Sequence, residues 1–247
     1  RATDYYVATS YGNDSNNGTS LTTPYKTIAK AASVMSAGDN CYIRQGRYHE
    51  TITIDNLDGS SGSPIVFTNY NNERVIIDGT TAITTAWTQV GSSSIWRTRL
   101  TADIWQLFLD WDEQVMTRWP NAKFSDNTIW DNDNYWAKGT IDDNSSAYSN
   151  GTIIDDPYTN SAGTSIDLSA AGFDLDESGK QAIAILNLGS FRTWSRLVAT
   201  HSGNTFTYTT VPSWKTKHHY YYLEGRLEFL DQAGEWWFDT SDDFLYY

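Results

Sequence analysis

Four short β-branched segments in the first third of the chain most constrain its fold. They read CYIRQGRYHE, TITIDNL, PIVFTNY and RVIIDGT, and glycine, asparagine and aspartate separate them. Ile43 recurs as Val66 and Ile54 as Ile77, each 23 residues later. A repeat in the low twenties, built of short strands, is typical of the coils of a parallel β-helix. We therefore predict that these segments stack as parallel rungs.

A stack of coils needs a cover over its first rung, because that rung has an apolar face with no neighbour. The segment before the strands has the pattern of such a cover. Thr23 is a candidate N-cap, Pro24 suits the first helical position, and Gly38 ends the pattern. The apolar positions Ile28, Ala31, Ala32 and Met35 share one helical face. We predict an amphipathic capping α-helix over 24–37.

These segments resemble a known group of enzymes. The resemblance is carried, in order, by the loop with Gly12, Asp14, Gly18 and Thr19, the helix start at Pro24, Thr27 and Ile28, the turn at Gly38 and Asp39, and the turn at Gly46, Tyr48 and Glu50. Residues 4–80 look like the N-terminal cap and opening coils of secreted right-handed parallel β-helix polysaccharide lyases and glycoside hydrolases. The resemblance implies an architecture and leaves the reaction open.

The pattern changes near residue 87, and the rest of the chain resembles the β-sandwich-like module that interrupts such helices, with its QLF-D strand and RWPN segment. We therefore predict an all-β protein with a capped β-helix start at 1–86, a sandwich-like module at 87–230 and a return hairpin at 231–247, with Gly234 in its turn region. By the resemblance, the later coils that carry the catalytic groove would be absent from this chain.

Composition narrows the function. The formal net charge is −13, which argues against nucleic acid, whose binding needs a basic footprint, and against anionic membranes. Cys41 is the sole cysteine and lies in an apolar strand, so we interpret it as a core residue. The chain begins with Arg1, few lysines and arginines accompany many small polar residues, and we expect a secreted bacterial protein, extracellular or periplasmic.

Two stretches combine aromatic and charged side chains, as sugar binding requires. One contains Trp130, Asp131, Asp133, Tyr135 and Trp136, and the other contains Trp214, Lys217, His218 and Tyr220. We predict that these residues bind carbohydrate. Each stretch has a purely structural alternative in which its aromatic rings anchor a loop or a strand.

The oxygen-rich stretch Asp131–Asn134 is also a candidate Ca²⁺ site, although the twelve-residue calcium-loop template is missing. No other metal or cofactor is expected, because the four histidines show no ligand spacing. The catalytic residues are not identifiable. A lyase would use lysine, histidine and tyrosine, and a hydrolase would use paired acids, for which Glu224, Glu228 and Asp231, or Glu235 and Asp239, are candidates.

The sequence therefore favours the polysaccharide-binding and structural N-terminal portion of a secreted carbohydrate-active enzyme. One alternative is a complete or two-chain lyase or glycoside hydrolase. Another is an extracellular protein that assembles through an open β-helix end, with the remaining β-helix chain or another copy as its partner.

Overall fold

The computed structural model describes residues 2–139, 151–189, 192–211 and 219–247. The chain divides into two compact units, Arg1–Ile83 and Thr84–Tyr247. The first unit contains β1 (Asp4–Val7), α1 (Ile28–Ala32), β2 (Asn40–Ile43), β3 (Gly46–His49), β4 (Val66–Asn69) and β5 (Val75–Asp78).

The second unit has a larger set of short elements. In chain order they are β6 (Thr88–Gln89), β7 (Trp96–Arg99), β8 (Leu107–Leu109), β9 (Asp112–Met116), β10 (Arg118–Trp119), α2 (Asn132–Tyr135), β11 (Ala137–Lys138), β12 (Thr152–Ile154), β13 (Tyr158–Thr159), β14 (Ser165–Ile166), α3 (Leu168–Ala171), β15 (Ile183–Gly189), β16 (Arg192–Ser202), β17 (Thr205–Tyr208), β18 (Tyr220–Glu224), β19 (Glu235–Asp239) and β20 (Phe244–Tyr246).

The first unit is built from parallel rungs, as predicted. Strands β1, β2 and β4 pair in parallel, so that Tyr5, Cys41 and Phe67 lie side by side. Strands β3 and β5 form a second parallel pair. Neighbouring parallel strands need a crossover connection, and here each connection is the rest of one coil. The all-β class and the β-helix start are confirmed.

The predicted 23-residue repeat is wrong in register. Asn40 pairs with Val66, a spacing of 26 residues, and Ile43 pairs with Asn69. Tyr48 pairs with Ile77, a spacing of 29 residues, while Ile54 lies outside the strands and is exposed. The coils carry loops of unequal length, so apolar loop residues imitated a rung in the sequence.

The capping helix exists but is shorter than predicted. Thr27 rather than Thr23 is its N-cap, with Oγ1 accepting from the Lys30 amide at 3.1 Å. Tyr25 instead pairs with the edge of β1: its amide donates to the Tyr6 carbonyl, and its carbonyl accepts from the Ala8 amide, both at 2.9 Å. An uncovered strand edge has unpaired backbone groups, so the extended segment before the helix satisfies that edge.

Two carboxylates fix the start of α1. Asp14 accepts hydrogen bonds from the amides of Lys26 and Thr27 at 2.8 and 2.9 Å. Glu50, from the turn after β3, accepts from the amides of Ile28 and Ala29 at 2.9 Å each. The first amides of a helix have no partner within the helix, so both carboxylates stabilise the position of the cap.

The cap seals an apolar interior. Ile28, Ala31 and Met35 pack into one buried cluster with Val7, Tyr25, Cys41, Ile43 and Tyr48. Fully burying one such large side chain contributes about 1.5–3 kcal/mol. The prediction that this segment covers the first coil is therefore confirmed, by a shorter helix than expected together with Tyr25.

The second unit contains two larger sheets. One has the order β10–β18–β15–β16–β17–β12, with β11 also on β18, and the other has the order β6–β7–β20–β19–β9–β8. The first sheet supplies most of a buried cluster that includes Leu186, Phe206, Tyr221 and Leu223. Period-2 alternation along β15 and β18 places these side chains on one face.

The C-terminal segment ends in the predicted hairpin, β19–β20, in which Trp237 pairs with Tyr246. Gly234 is not in its turn. It precedes β19 with φ of +91°, whereas the turn lies between Asp239 and Phe244 and contains Asp243 with φ of +60°. An aspartate tolerates the left-handed conformation better than most residues, so the turn did not need a glycine.

Candidate functional site

The first predicted stretch begins with an exposed indole. Trp130 ends a single 3-10 turn and is 74% exposed. Asp131 follows it and caps α2, with Oδ1 accepting from the Asn134 amide at 3.2 Å and Oδ2 from the Asn134 side-chain amide at 2.9 Å. Trp130 is thus presented to solvent, while Asp131 holds the short helix behind it.

Asp133 and Tyr220 meet although 87 residues separate them. The Tyr220 hydroxyl donates to Asp133 Oδ1 at 2.6 Å. This hydrogen bond, with burial second, raises the pKa of Tyr220 to about 12. Tyr220 is therefore a protonated phenol at neutral pH, and the pair joins a carboxylate acceptor to a hydroxyl at the surface.

A cation lies beside this pair. Lys138 Nζ lies 4.1 Å from the ring centroid of Tyr158 and 6.0 Å from that of Tyr220. Strand β11 places Lys138 there, because it pairs directly with Tyr220 of β18. We call Asp133, Lys138, Tyr158 and Tyr220 the Tyr220 surface; it offers an acceptor, donors and aromatic rings together.

Tyr135 and Trp136 have supporting positions. The Tyr135 carbonyl accepts from Arg118 Nη2 at 3.0 Å, and the half-buried Trp136 meets Tyr222 edge to face at 4.7 Å. Trp214, Lys217 and His218 lie outside the described residues.

Arg118, from the RWPN segment, is buried beneath Trp136. It is 2% exposed, donates from Nε to the Pro120 carbonyl at 2.9 Å, and lies 3.9 Å over the Tyr222 ring. Burial lowers the pKa of Arg118 to about 10. A buried cation with aromatic and carbonyl partners fixes a local structure, here the segment that carries Tyr135.

The acids near Arg118 have raised pKa values. Burial raises the pKa of Glu224, opposite Arg118 in register, to about 7. Burial, followed by the charge of Asp231, raises the pKa of Glu235 to about 7. Such values suit acid–base catalysis, but Glu235 is only 2% exposed. A polymer cannot reach it, so the predicted pair of Glu235 and Asp239 gains no support as catalytic residues.

A cleft of about 450 Å³ was not predicted as a site. Its charged lining residues are Glu177, Lys180, Arg226, Glu228, Asp239 and Asp242, and its apolar lining residues are Leu227, Trp237 and Tyr246. The acids near Trp237 were noticed in the sequence only as candidate pairs. Their meeting with Glu177 and Lys180 depends on tertiary structure, for which the sequence carried no signal.

The candidate Ca²⁺ stretch is occupied by internal hydrogen bonds, since Asp131 caps α2 and Asp133 binds Tyr220. Within the described ranges, no three His, Cys, Asp or Glu side chains are grouped as a metal site. No helix in the described part of the chain has the length and apolar character to cross a bilayer.

Comparison with known proteins supports the β-helix start. Residues 5–107 match the family model described as Pel9A-like, right handed beta helix region. The uncharacterized protein YwoF of Bacillus subtilis (strain 168) is 42% identical over 76 residues, which are 31% of this chain and 16% of that protein. The resemblance found in the opening motifs is confirmed over this region.

Solved structures support the fold. A structure described as a glycoside hydrolase superposes with a TM-score of 0.68 over 99% of this chain and 43% of its own, at 16% identity. A rhamnogalacturonan lyase gives a TM-score of 0.27 at 30% identity, over 30% of this chain and 21% of its own. XylC in complex with xylose gives 0.38 at 17% identity, over 89% of this chain and 31% of its own. The chain thus spans less than half the length of each of these proteins.

Proposed function

We propose that this chain is the polysaccharide-binding and structural N-terminal portion of an exported bacterial carbohydrate-active enzyme. The β-helix match over residues 5–107 supports the enzyme class. In this proposal the partner of the chain is a polysaccharide, and the catalytic groups lie on β-helix coils outside this chain.

The observation that carries the binding role is the Tyr220 surface, with exposed Trp130 three residues before Asp133. Sugar rings present C–H faces that stack on indole and phenol rings, and their hydroxyls donate to carboxylates. Lys138 adds donors that accept no competing proton. The hydrogen bond between Tyr220 and Asp133 holds the surface in one arrangement before the sugar arrives, which lowers the entropic cost of binding.

Affinity gel electrophoresis over a panel of plant and marine polysaccharides, with and without Ca²⁺, tests this role. We expect at least one polysaccharide to retard the wild-type chain, and Trp130→Ala and Tyr220→Phe to weaken the retardation. Trp105→Ala is the matched control, because Trp105 is also highly exposed, at 86%, but belongs to neither predicted stretch. Equal retardation of all three variants would contradict the assignment of the surface.

The same samples distinguish the alternatives. The proposal expects no release of reducing ends and no unsaturated product absorbing in the ultraviolet. Turnover by this chain would instead support a complete lyase or hydrolase. A mass that rises with concentration, without retardation by any polysaccharide, would support self-assembly.

A further inference from the structure

The cleft beside β19 and β20 has an aromatic wall. Trp237 and Tyr246 are register partners on these strands, with ring centroids 5.3 Å apart and planes inclined by 33°. Tyr246 is buried under the partly exposed Trp237, so the indole is supported from behind. A supported indole suits stacking against the C–H face of a sugar.

The cations of the cleft are already neutralised. Arg226 is 7% exposed, and it donates from Nε to Glu228 at 3.2 Å and from Nη2 to Glu177 at 3.1 Å. Its Nη1 donates to the Lys180 carbonyl. Because two carboxylates hold the guanidinium, Arg226 orders the cleft and does not offer it an uncompensated positive charge.

The remaining charge of the cleft is negative. Asp239 accepts at Oδ1 from the Ser241 amide and hydroxyl, at 2.9 and 2.6 Å. Asp242 accepts at Oδ1 from the Phe244 amide at 3.2 Å. These bonds fix both carboxylates through one oxygen and leave the second oxygen as an acceptor. Four carboxylates against two cations give the lining a net negative charge, which repels an anionic sugar.

We propose that this cleft binds an uncharged sugar residue of a neutral polysaccharide and rejects uronic and sulfated sugars. The inference rests on the proposed function and narrows its substrate class. A cleft of about 450 Å³ lies within the usual size of ligand sites, about 300–1,000 Å³. The acids of the described chain do not form a three-ligand metal group, which favours a sugar over a cation as the occupant.

Isothermal titration of the full chain with defined oligosaccharides tests the inference. The probes are xylohexaose, cellohexaose and mannohexaose as neutral sugars, and hexagalacturonate as the anionic sugar. We expect at least one neutral hexaose to bind, and hexagalacturonate to bind at least about tenfold more weakly. Trp237→Ala should weaken binding of the neutral hexaose by about tenfold, whereas Trp105→Ala should not change it.

The double variant Asp239→Asn, Asp242→Asn provides a second test that retains the turn, since each asparagine keeps an acceptor oxygen. It should reduce the discrimination against hexagalacturonate, with a near-ultraviolet dichroism spectrum like that of the wild type. Preference for hexagalacturonate, or unchanged hexaose binding in Trp237→Ala alongside weakened binding in Trp130→Ala, would overturn the inference and leave the proposed function standing. If the polysaccharide panel retards no wild-type chain, the proposed function itself fails.

Discussion

Replacing Glu50 with alanine should open the core of the first unit. The Glu50 carboxylate accepts hydrogen bonds from the Ile28 and Ala29 amides at the start of α1. Losing a helix-capping side chain costs about 0.5–2 kcal/mol, and a hydrogen bond to a charged group contributes about 1.5–3 kcal/mol. We expect Glu50→Ala to lower the free energy of opening by about 2 kcal/mol, which raises the open population roughly 30-fold.

The single cysteine provides the assay. Cys41 is 0% exposed and packs in the cluster with Val7 and Ile28. Burial raises the pKa of its thiol to about 12, so a maleimide reacts only when the core opens. Pulse labelling followed by mass spectrometry then measures the open population. All 11 tryptophans lie at or after Trp87, so an unchanged indole emission in native buffer shows that the second unit stays folded.

Two variants calibrate the result. Glu50→Gln keeps one acceptor oxygen and should lose about half of the effect, since about one of the two bonds remains. Asp55→Ala removes the same charge from an exposed position of the same unit and should label like the wild type. A Glu50→Ala chain that labels at the wild-type rate, or no faster than Asp55→Ala, would refute the role given to this carboxylate.

Two further predictions concern the stability of each unit. Gly12→Ala should raise Cys41 labelling strongly, because a Cβ there would lie 2.1 Å from the Tyr25 carbonyl oxygen, whereas Gly79→Ala, with nothing within 4 Å, should not; equal labelling of the two would contradict the fit of the cap. Because the pKa of Glu235 is raised from 4.5 to about 7, the folded second unit retains a proton that the unfolded chain releases, and this contribution to stability is lost as pH rises through about 7. Glu235→Gln should therefore reduce the difference between urea midpoints at pH 5 and pH 8, followed by tryptophan emission, and an unchanged difference would show that Glu235 does not titrate as the structure indicates.

Parallel coils and a cap were predictable because both leave a local signal. Short β-branched segments marked the rungs, and Ile28, Ala31 and Met35 marked the buried face of the cap. The extent of the cap was not predictable from that signal. Whether Tyr25 joins the helix depends on the edge of β1, where it pairs instead, and this is a tertiary contact.

The candidate site shows the same limit. The aromatic and acidic stretches were visible locally, but the meeting of Asp133 with Tyr220 crosses 87 residues. The Trp237 cleft combines Glu177 with a hairpin near residue 240, and the sequence has no local marker for that union. Charge patterning along the chain does not reveal which carboxylates a buried arginine neutralises.

Hydroxyl-radical footprinting tests the central claim, that aromatic side chains of the second unit bind polysaccharide, most directly. The chain is oxidised with and without the polysaccharide that retards it, and each tryptophan-containing peptide is quantified. The account predicts protection of Trp130 and Trp237, with Trp105 oxidised equally in both samples. Protection of Trp105 with none at Trp130 or Trp237, or no protection at all, would contradict it.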